Sequence, residues 1–153
     1  MEFVQKGSLK LTSPAFRENG IIPKKYTCDG EKINPELIIE VIPVNTKTLA
    51  LIMDDPDAPS GDFVHWVMWN ITPVSKIEEN SVPAGAVVGI NSGRKNNYFP
   101  PCPPSGVHRY IFKLYALNTE LNLASSSNKQ NLLEAMNGHI LSQTSLVGKY
   151  SRD

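Results

Sequence analysis

Asp54-Asp55-Pro56-Asp57-Ala58-Pro59-Ser60-Gly61-Asp62-Phe63-Val64-His65-Trp66-Val67-Met68-Trp69-Asn70-Ile71 reads as a charged, stiff loop set between two apolar strands. The run entering it, Thr48 to Met53, is short, aliphatic and uncharged, the composition of a buried strand. It gives way to four carboxylates interleaved with Pro56 and Pro59, and each proline fixes φ and removes an N–H donor. The run leaving the loop alternates with a period of two. That assigns Phe63, His65, Val67, Trp69 and Ile71 to one face and Val64, Trp66, Met68 and Asn70 to the other. His65 is expected on an apolar face beside a group of acids.

A second stretch answers the first. From Val107 to Leu117 the same alternation groups His108, Tyr110, Phe112, Leu114 and Ala116, with Arg109 and Lys113 opposite. It comes after Tyr98 to Gly106, where four prolines in five positions exclude a central strand and point to a rigid loop. Both histidines thus open strands next to stiff loops, a way to build a small polar pocket. The expected lining is Asp55, Asp57, His65, His108 and Tyr110, with Pro59 shaping the loop.

Taken singly, these aspartates read as turn caps and these histidines as satisfied core residues. Together they allow more. A carboxylate beside each imidazole fixes its tautomer and raises its pKa, so that imidazolium and loop N–H groups can hold a phosphate or carboxylate. A remaining aspartate can meet an ammonium, and the set suits a zwitterionic head group such as phosphoethanolamine. Metal ligation lacks tight histidine spacing and needs both rings neutral beside acids, so neither a metal nor another cofactor is expected. A hydrolase using Ser60 or Ser105 with His65 or His108 lacks a Gly-x-Ser-x-Gly elbow. The reading is a binding protein rather than an enzyme, with a hydrolase acting on a phosphorylated or acyl substrate as the alternative.

The bulk numbers narrow the class. The 153 residues suit one domain, 1–153, with a core large enough to stand without metals or disulfides. Fifteen Lys and Arg balance fifteen Asp and Glu, so no global field draws nucleic acid or an anionic membrane, and no basic patch accompanies Trp66 and Trp69. No apolar run approaches the roughly 20 residues needed to span a bilayer. The N-terminus lacks the apolar centre of a secretory signal, which makes the cytoplasm the expected compartment. Cys28 and Cys102 form no framework and no zinc spacing, and in that compartment they read as two reduced thiols.

Outside the two central stretches, Leu9 to Ser13, Leu37 to Ile42 and Ala84 to Ile90 carry strand signals. Ser125 to Asn128 offers N-caps for a helix whose stripe is Leu132, Leu133, Met136 and Ile140. Many short strands with a late helix argue a mainly β fold, a two-sheet antiparallel sandwich of Greek-key type with peripheral helices.

Asp55-Pro56-Asp57-Ala58-Pro59 with His65-Trp66, then Pro103-Pro104 with Gly106-Val107-His108-Arg109-Tyr110, resemble the two signature regions of the phosphatidylethanolamine-binding protein family, which includes the Raf kinase inhibitor proteins. Tyr26-Thr27-Cys28-Asp29-Gly30, Ala135 to His139 and Gly148 to Arg152 extend the resemblance towards its bacterial and archaeal branch over nearly the whole chain. The resemblance implies a sandwich with C-terminal helices and a head-group pocket, and it adds Cys102 and Pro104 to the ligand-binding set. It also implies a rim that engages a kinase or a serine protease as inhibitor, and it leaves a homodimer open. Cys28 and Cys102 lie in segments that resemble loops around that pocket, which keeps their pairing open. The chain departs from the bacterial Tyr-Gly-Gly-Pro-Cys-Pro-Pro pattern at Phe99 and Pro100. A lost N–H at Pro100 and a ring at Phe99 are expected to reshape or weaken anion binding.

Overall fold

The uncharged run from Thr48 is a central strand of the larger sheet, and every one of its residues is buried through Asp55. The computed structural model describes residues 8–152, so most of the N-terminal stretch behind the compartment reading lies outside the described residues. In chain order the strands are β1 (Lys10–Thr12), β2 (Gly20–Ile21), β3 (Leu37–Glu40), β4 (Thr48–Asp55), β5 (Phe63–Ile71), β6 (Lys76–Ile77), β7 (Val87–Val88), β8 (His108–Leu117) and β9 (Ile140–Tyr150). A 3-10 turn spans Lys24–Tyr26, and α1 spans Lys129–Met136.

Two sheets form, one ordered β1-β3-β6 and one ordered β2-β9-β8-β4-β5-β7. Their facing sides hold the main core, in which Leu11, Leu37, Ile39 and Ile77 of the small sheet meet Leu51, Met53, Trp66, Met68, Phe112 and Leu114 of the large one. The outer face of the large sheet buries Ala50, Ile52, Val67, Trp69 and Tyr115 under Leu132 and Met136 of α1. The chain is therefore the mainly β two-sheet sandwich expected.

Several details differ from the sequence reading. The carboxylates do not end the strand, because Asp54 and Asp55 are its last two residues and pair with β5. The sheet is not wholly antiparallel, since β2 runs parallel to β9 with Gly20 opposite Gly148. Among the described residues α1 is the single α-helix, so the C-terminal helices implied by the resemblance reduce to it. Asn128 caps α1 by accepting from the Asn131 N–H, and Gly138 at φ 86° supplies the left-handed residue that lets the chain turn away. Ile140, read as part of the helical stripe, instead opens β9 and is partly exposed.

The alternation along β5 is broken twice. Asp54 pairs with Val64 but Met53 with Trp66, which leaves His65 as an extra residue. Leu51 pairs with Met68 and Leu49 with Ile71, a second insertion at Trp69 and Asn70, where Asn70 takes φ 57°. Each bulge reverses the parity of the residues beyond it. Trp66, Met68 and Ile71 therefore enter the inter-sheet core while Val67 and Trp69 face α1, and His65 keeps company with Tyr110 on the inter-sheet side.

Candidate functional site

β4 and β8 are antiparallel neighbours, so the C-terminal end of β4 lies beside the N-terminal start of β8. That register brings Asp55 to His108. The Nδ1–H of His108 donates to Asp55 Oδ2 at 2.7 Å, and both groups are buried. The other oxygen, Oδ1, accepts the Asp57 N–H at 2.8 Å, the short turn that Asp-x-Asp spacing permits. Asp57 in turn accepts from the backbone N–H, Nε and Nη2 of Arg109, each at 2.9 Å. Hydrogen bonding from that guanidinium holds the Asp57 carboxyl down to about 2. The loop is thus pinned to β8 through two adjacent residues of the strand.

His65 is held differently from the expected carboxylate partner. Its Nδ1–H donates to the Phe99 carbonyl at 2.6 Å, and the Phe99 N–H donates back to the His65 carbonyl at 2.9 Å. A carbonyl only accepts, so this contact fixes the proton on Nδ1 and leaves Nε2 as the acceptor of the neutral ring. Burial pushes the His65 pKa down, and the Phe99 contact and the Asp55 charge offset this only in part. The expectation of a raised pKa at both histidines therefore fails at His65, because its direct partner is a carbonyl and its surroundings are apolar.

The two histidines line one cavity of about 220 Å³. The Tyr110 ring lies against both, at 5.2 Å from His65 and 6.4 Å from His108 between ring centres. Burial and the Asp55 charge push the Tyr110 hydroxyl pKa up, which keeps it a phenol. The family model described as phosphatidylethanolamine-binding protein matches residues 12–151 of this chain. The chain belongs to the phosphatidylethanolamine-binding protein family.

Relatives match nearly all of its length. A UPF0098 protein of Methanothermobacter thermautotrophicus is 49% identical over 150 residues, covering 94% of this chain and 99% of that protein. One of Pyrococcus horikoshii is 47% identical over 157 residues, covering 97% and 79%. Among solved structures, a phosphatidylethanolamine-binding protein homologue of Chlamydia trachomatis superposes with a TM-score of 0.92 at 41% identity, covering 95% of this chain and 99% of that one. Escherichia coli YbcL, described as a member of the mammalian phosphatidylethanolamine-binding protein family, gives 0.89 at 25% identity, covering 96% and 100%.

Of the residues that the sequence reading placed in a ligand pocket, Asp55, Pro59, His65, Cys102, Pro104, His108 and Tyr110 line the cavity. Asp57 does not, since Arg109 and the backbone engage it outside the lining. Ala58, Phe63, Phe99 and Pro103 line the cavity without having been singled out as ligand contacts. Phe63 was within reach, because it stands two residues before His65 on the same strand. Phe99 is the family departure seen from its other side. Its backbone is consumed by His65, while its ring packs on Phe63 at 5.1 Å and sits over Gly93, where a Cβ would strike it.

The cysteines overturn the reduced reading. Cys28 and Cys102 are joined in a disulfide across 74 positions, which neither their spacing nor the expected compartment suggested. The Cys28 N–H also donates to the Pro101 carbonyl at 3.0 Å, and the Tyr98 hydroxyl to the Tyr26 carbonyl at 2.8 Å. The proline-rich wall of this cavity is therefore fastened to the 26–28 segment at Tyr98, Pro101 and Cys102. Among the described residues no group of three or more potential metal ligands assembles.

A larger hollow of about 360 Å³ lies at the start of α1, but its polar groups are already engaged. Lys129 donates to Asp54 and Asp62 at 2.7 Å each, Asn91 turns its own loop, and Ser92 Oγ accepts from Val64. It reads as a braced joint between helix and sheet.

Proposed function

We propose that this chain is a non-enzymatic binding protein whose ligand is a small anion, a phosphate or carboxylate group of the kind found on lipid head groups, held at His108 with neutral His65 in the wall beside it. The observation that carries this is the His108–Asp55 pair at 2.7 Å beside an otherwise apolar cavity. A buried carboxylate stabilises an adjacent imidazolium, and with Nδ1 committed the ring offers Nε2–H to an incoming oxyanion. Binding is favoured over turnover by what the lining holds. The Cys102 sulfur is tied in a disulfide, the Tyr110 hydroxyl is held as a phenol, and neither Ser60 nor Ser105 borders the cavity. A covalent route through a serine hydroxyl or a cysteine thiol has no nucleophile there.

The rim from Pro104 to Val107 is exposed and is the surface a kinase or protease would meet. None of the described helices is long and apolar enough to cross a membrane. The cytoplasm stays the proposed compartment only where it preserves a disulfide, as the interiors of hyperthermophiles do.

Calorimetric titration of acetate and inorganic phosphate into the intact protein tests this reading, with His108→Ala as control. Saturable binding that the substitution removes supports it. Turnover of generic phosphate or ester substrates that disappears in His108→Ala would replace it with the enzyme reading.

A further inference from the structure

The walls of the cavity are more selective than its anion-binding end. Asp55 is consumed by His108 and by the Asp57 N–H, and Asp57 is consumed by Arg109. The acceptor left for a ligand ammonium is His65 Nε2, and the ammonium's other donors would lie against Ala58, Pro59, Phe63, Phe99 and the prolines at 103 and 104. A buried donor without an acceptor is costly, so a primary amine is poorly served here.

The same lining is poor in donors for a dianion. Pro59, Pro103 and Pro104 carry no N–H, and the N–H of Phe99 is spent on His65. His65 gives its one proton to the Phe99 carbonyl. The donors left in the lining are the His108 Nε2–H and the Tyr110 hydroxyl, two groups for the two oxygens of one carboxylate. A phosphate dianion entering this space would bring more oxygens than the site has partners for.

Opposite these polar limits stands an aromatic corner. The Phe63 ring meets the Phe99 ring at 5.1 Å and 61°, and meets the His65 ring at 4.9 Å and 60°. Phe99 is seated over Gly93 and fastened through its backbone to His65, so this wall is built before any ligand arrives. At roughly 30 Å³ for each water-sized group, about 220 Å³ holds more than a bare oxyanion.

We infer that the ligand is an organic monoanion with a flat apolar body, an aryl or similar carboxylate, and that Phe99 is the residue that selects it. This rests on the anion-binding reading above and names the ligand class for that site. The carboxylate meets His108 Nε2–H, and the apolar body lies among Phe63, Phe99 and Pro104.

Calorimetry on the disulfide-intact protein with benzoate, acetate, inorganic phosphate and phosphoethanolamine tests it. Benzoate should bind at least about tenfold more tightly than acetate or either phosphate compound, a difference of about 1.4 kcal/mol. Phe99→Ala should remove that advantage, so that benzoate and acetate bind within about threefold of each other. Phe99→Leu, which keeps apolar volume, guards against loss of folding and should retain part of it; thermal unfolding of each variant shows that it is folded. Phosphoethanolamine or phosphate binding as tightly as benzoate would overturn this inference and leave the anion reading standing. Failure of every anion, acetate included, would overturn both. An unchanged benzoate advantage in a folded Phe99→Ala would remove Phe99 from the role.

Discussion

Asp55 Oδ2 and His108 Nδ1 stand 2.7 Å apart, a charge-assisted contact between two buried groups at the meeting of β4 and β8. Asp55→Asn keeps the shape and removes the charge. It should lower folding stability by about 1.5 to 3 kcal/mol and weaken anion binding at the same time. Denaturant unfolding and calorimetry on one preparation check both. A protein as stable as wild type with unchanged anion affinity would show that the pair is incidental.

His65 sets a pH dependence of opposite origin. Its folded pKa lies below the ordinary 6.5, so the folded protein prefers the neutral ring. The contribution of His65 to stability is then fully present above about 6.5 and is lost as pH falls through the depressed folded value. Melting temperatures measured from pH 8 to pH 5 should fall more steeply for wild type than for His65→Gln. Parallel curves would mean that the ring is not held neutral.

The disulfide closes a loop across 74 positions. In the chain-entropy account a loop of that size stabilises the fold by about 4 kcal/mol, less any relief of strain. Replacing Cys28 and Cys102 with serine should lower the guanidinium midpoint accordingly. It should also loosen the 99–104 wall, read as faster amide exchange at Phe99 and Cys102 than at Phe112.

Asp54 is 1% exposed and its Oδ2 accepts from Lys113 at 3.0 Å and from Lys129 at 2.7 Å, while Oδ1 has no partner. Lys129→Met removes the shorter contact and leaves the buried carboxylate with one cation. A loss of about 1 to 3 kcal/mol is expected in urea unfolding, with anion binding at the distant cavity unchanged. Lys129→Arg should restore most of the stability.

The legible parts of this chain were those with strong local pattern. β8 alternates as its residues say, with Tyr110, Phe112 and Leu114 inside. His65, His108 and Asp55 were readable as neighbours because each sits where a strand meets a stiff loop. The bulges at His65 and Asn70 were not, because strand parity depends on pairing with β4 and no residue in β5 announces it. β9 escaped notice for another reason. Its first half, Ile140 to Thr144, is largely exposed and follows two apolar residues with Ser142, Gln143 and Thr144, so it lacks the unbroken apolar signature that marks β4. The disulfide joins residues too distant for any spacing rule, and Asp57 looked like a ligand contact until Arg109, the neighbour of Tyr110 on β8, claimed it.

The strand order β2-β9-β8-β4-β5-β7 also governs how the protein can be made. β9 leaves the ribosome after every other described strand, yet it lies inside the sheet, pairing with β8 from His108 opposite Tyr150 to Leu117 opposite Ile140. During synthesis β8 therefore waits with one long edge unpaired, an invitation to wrong partners. His108 shares in that delay, since its strand partner is Tyr150. A ribosome-stalled chain ending before residue 140 should bind chaperones and no anion, and the candidate site is among the last features of the molecule to be born.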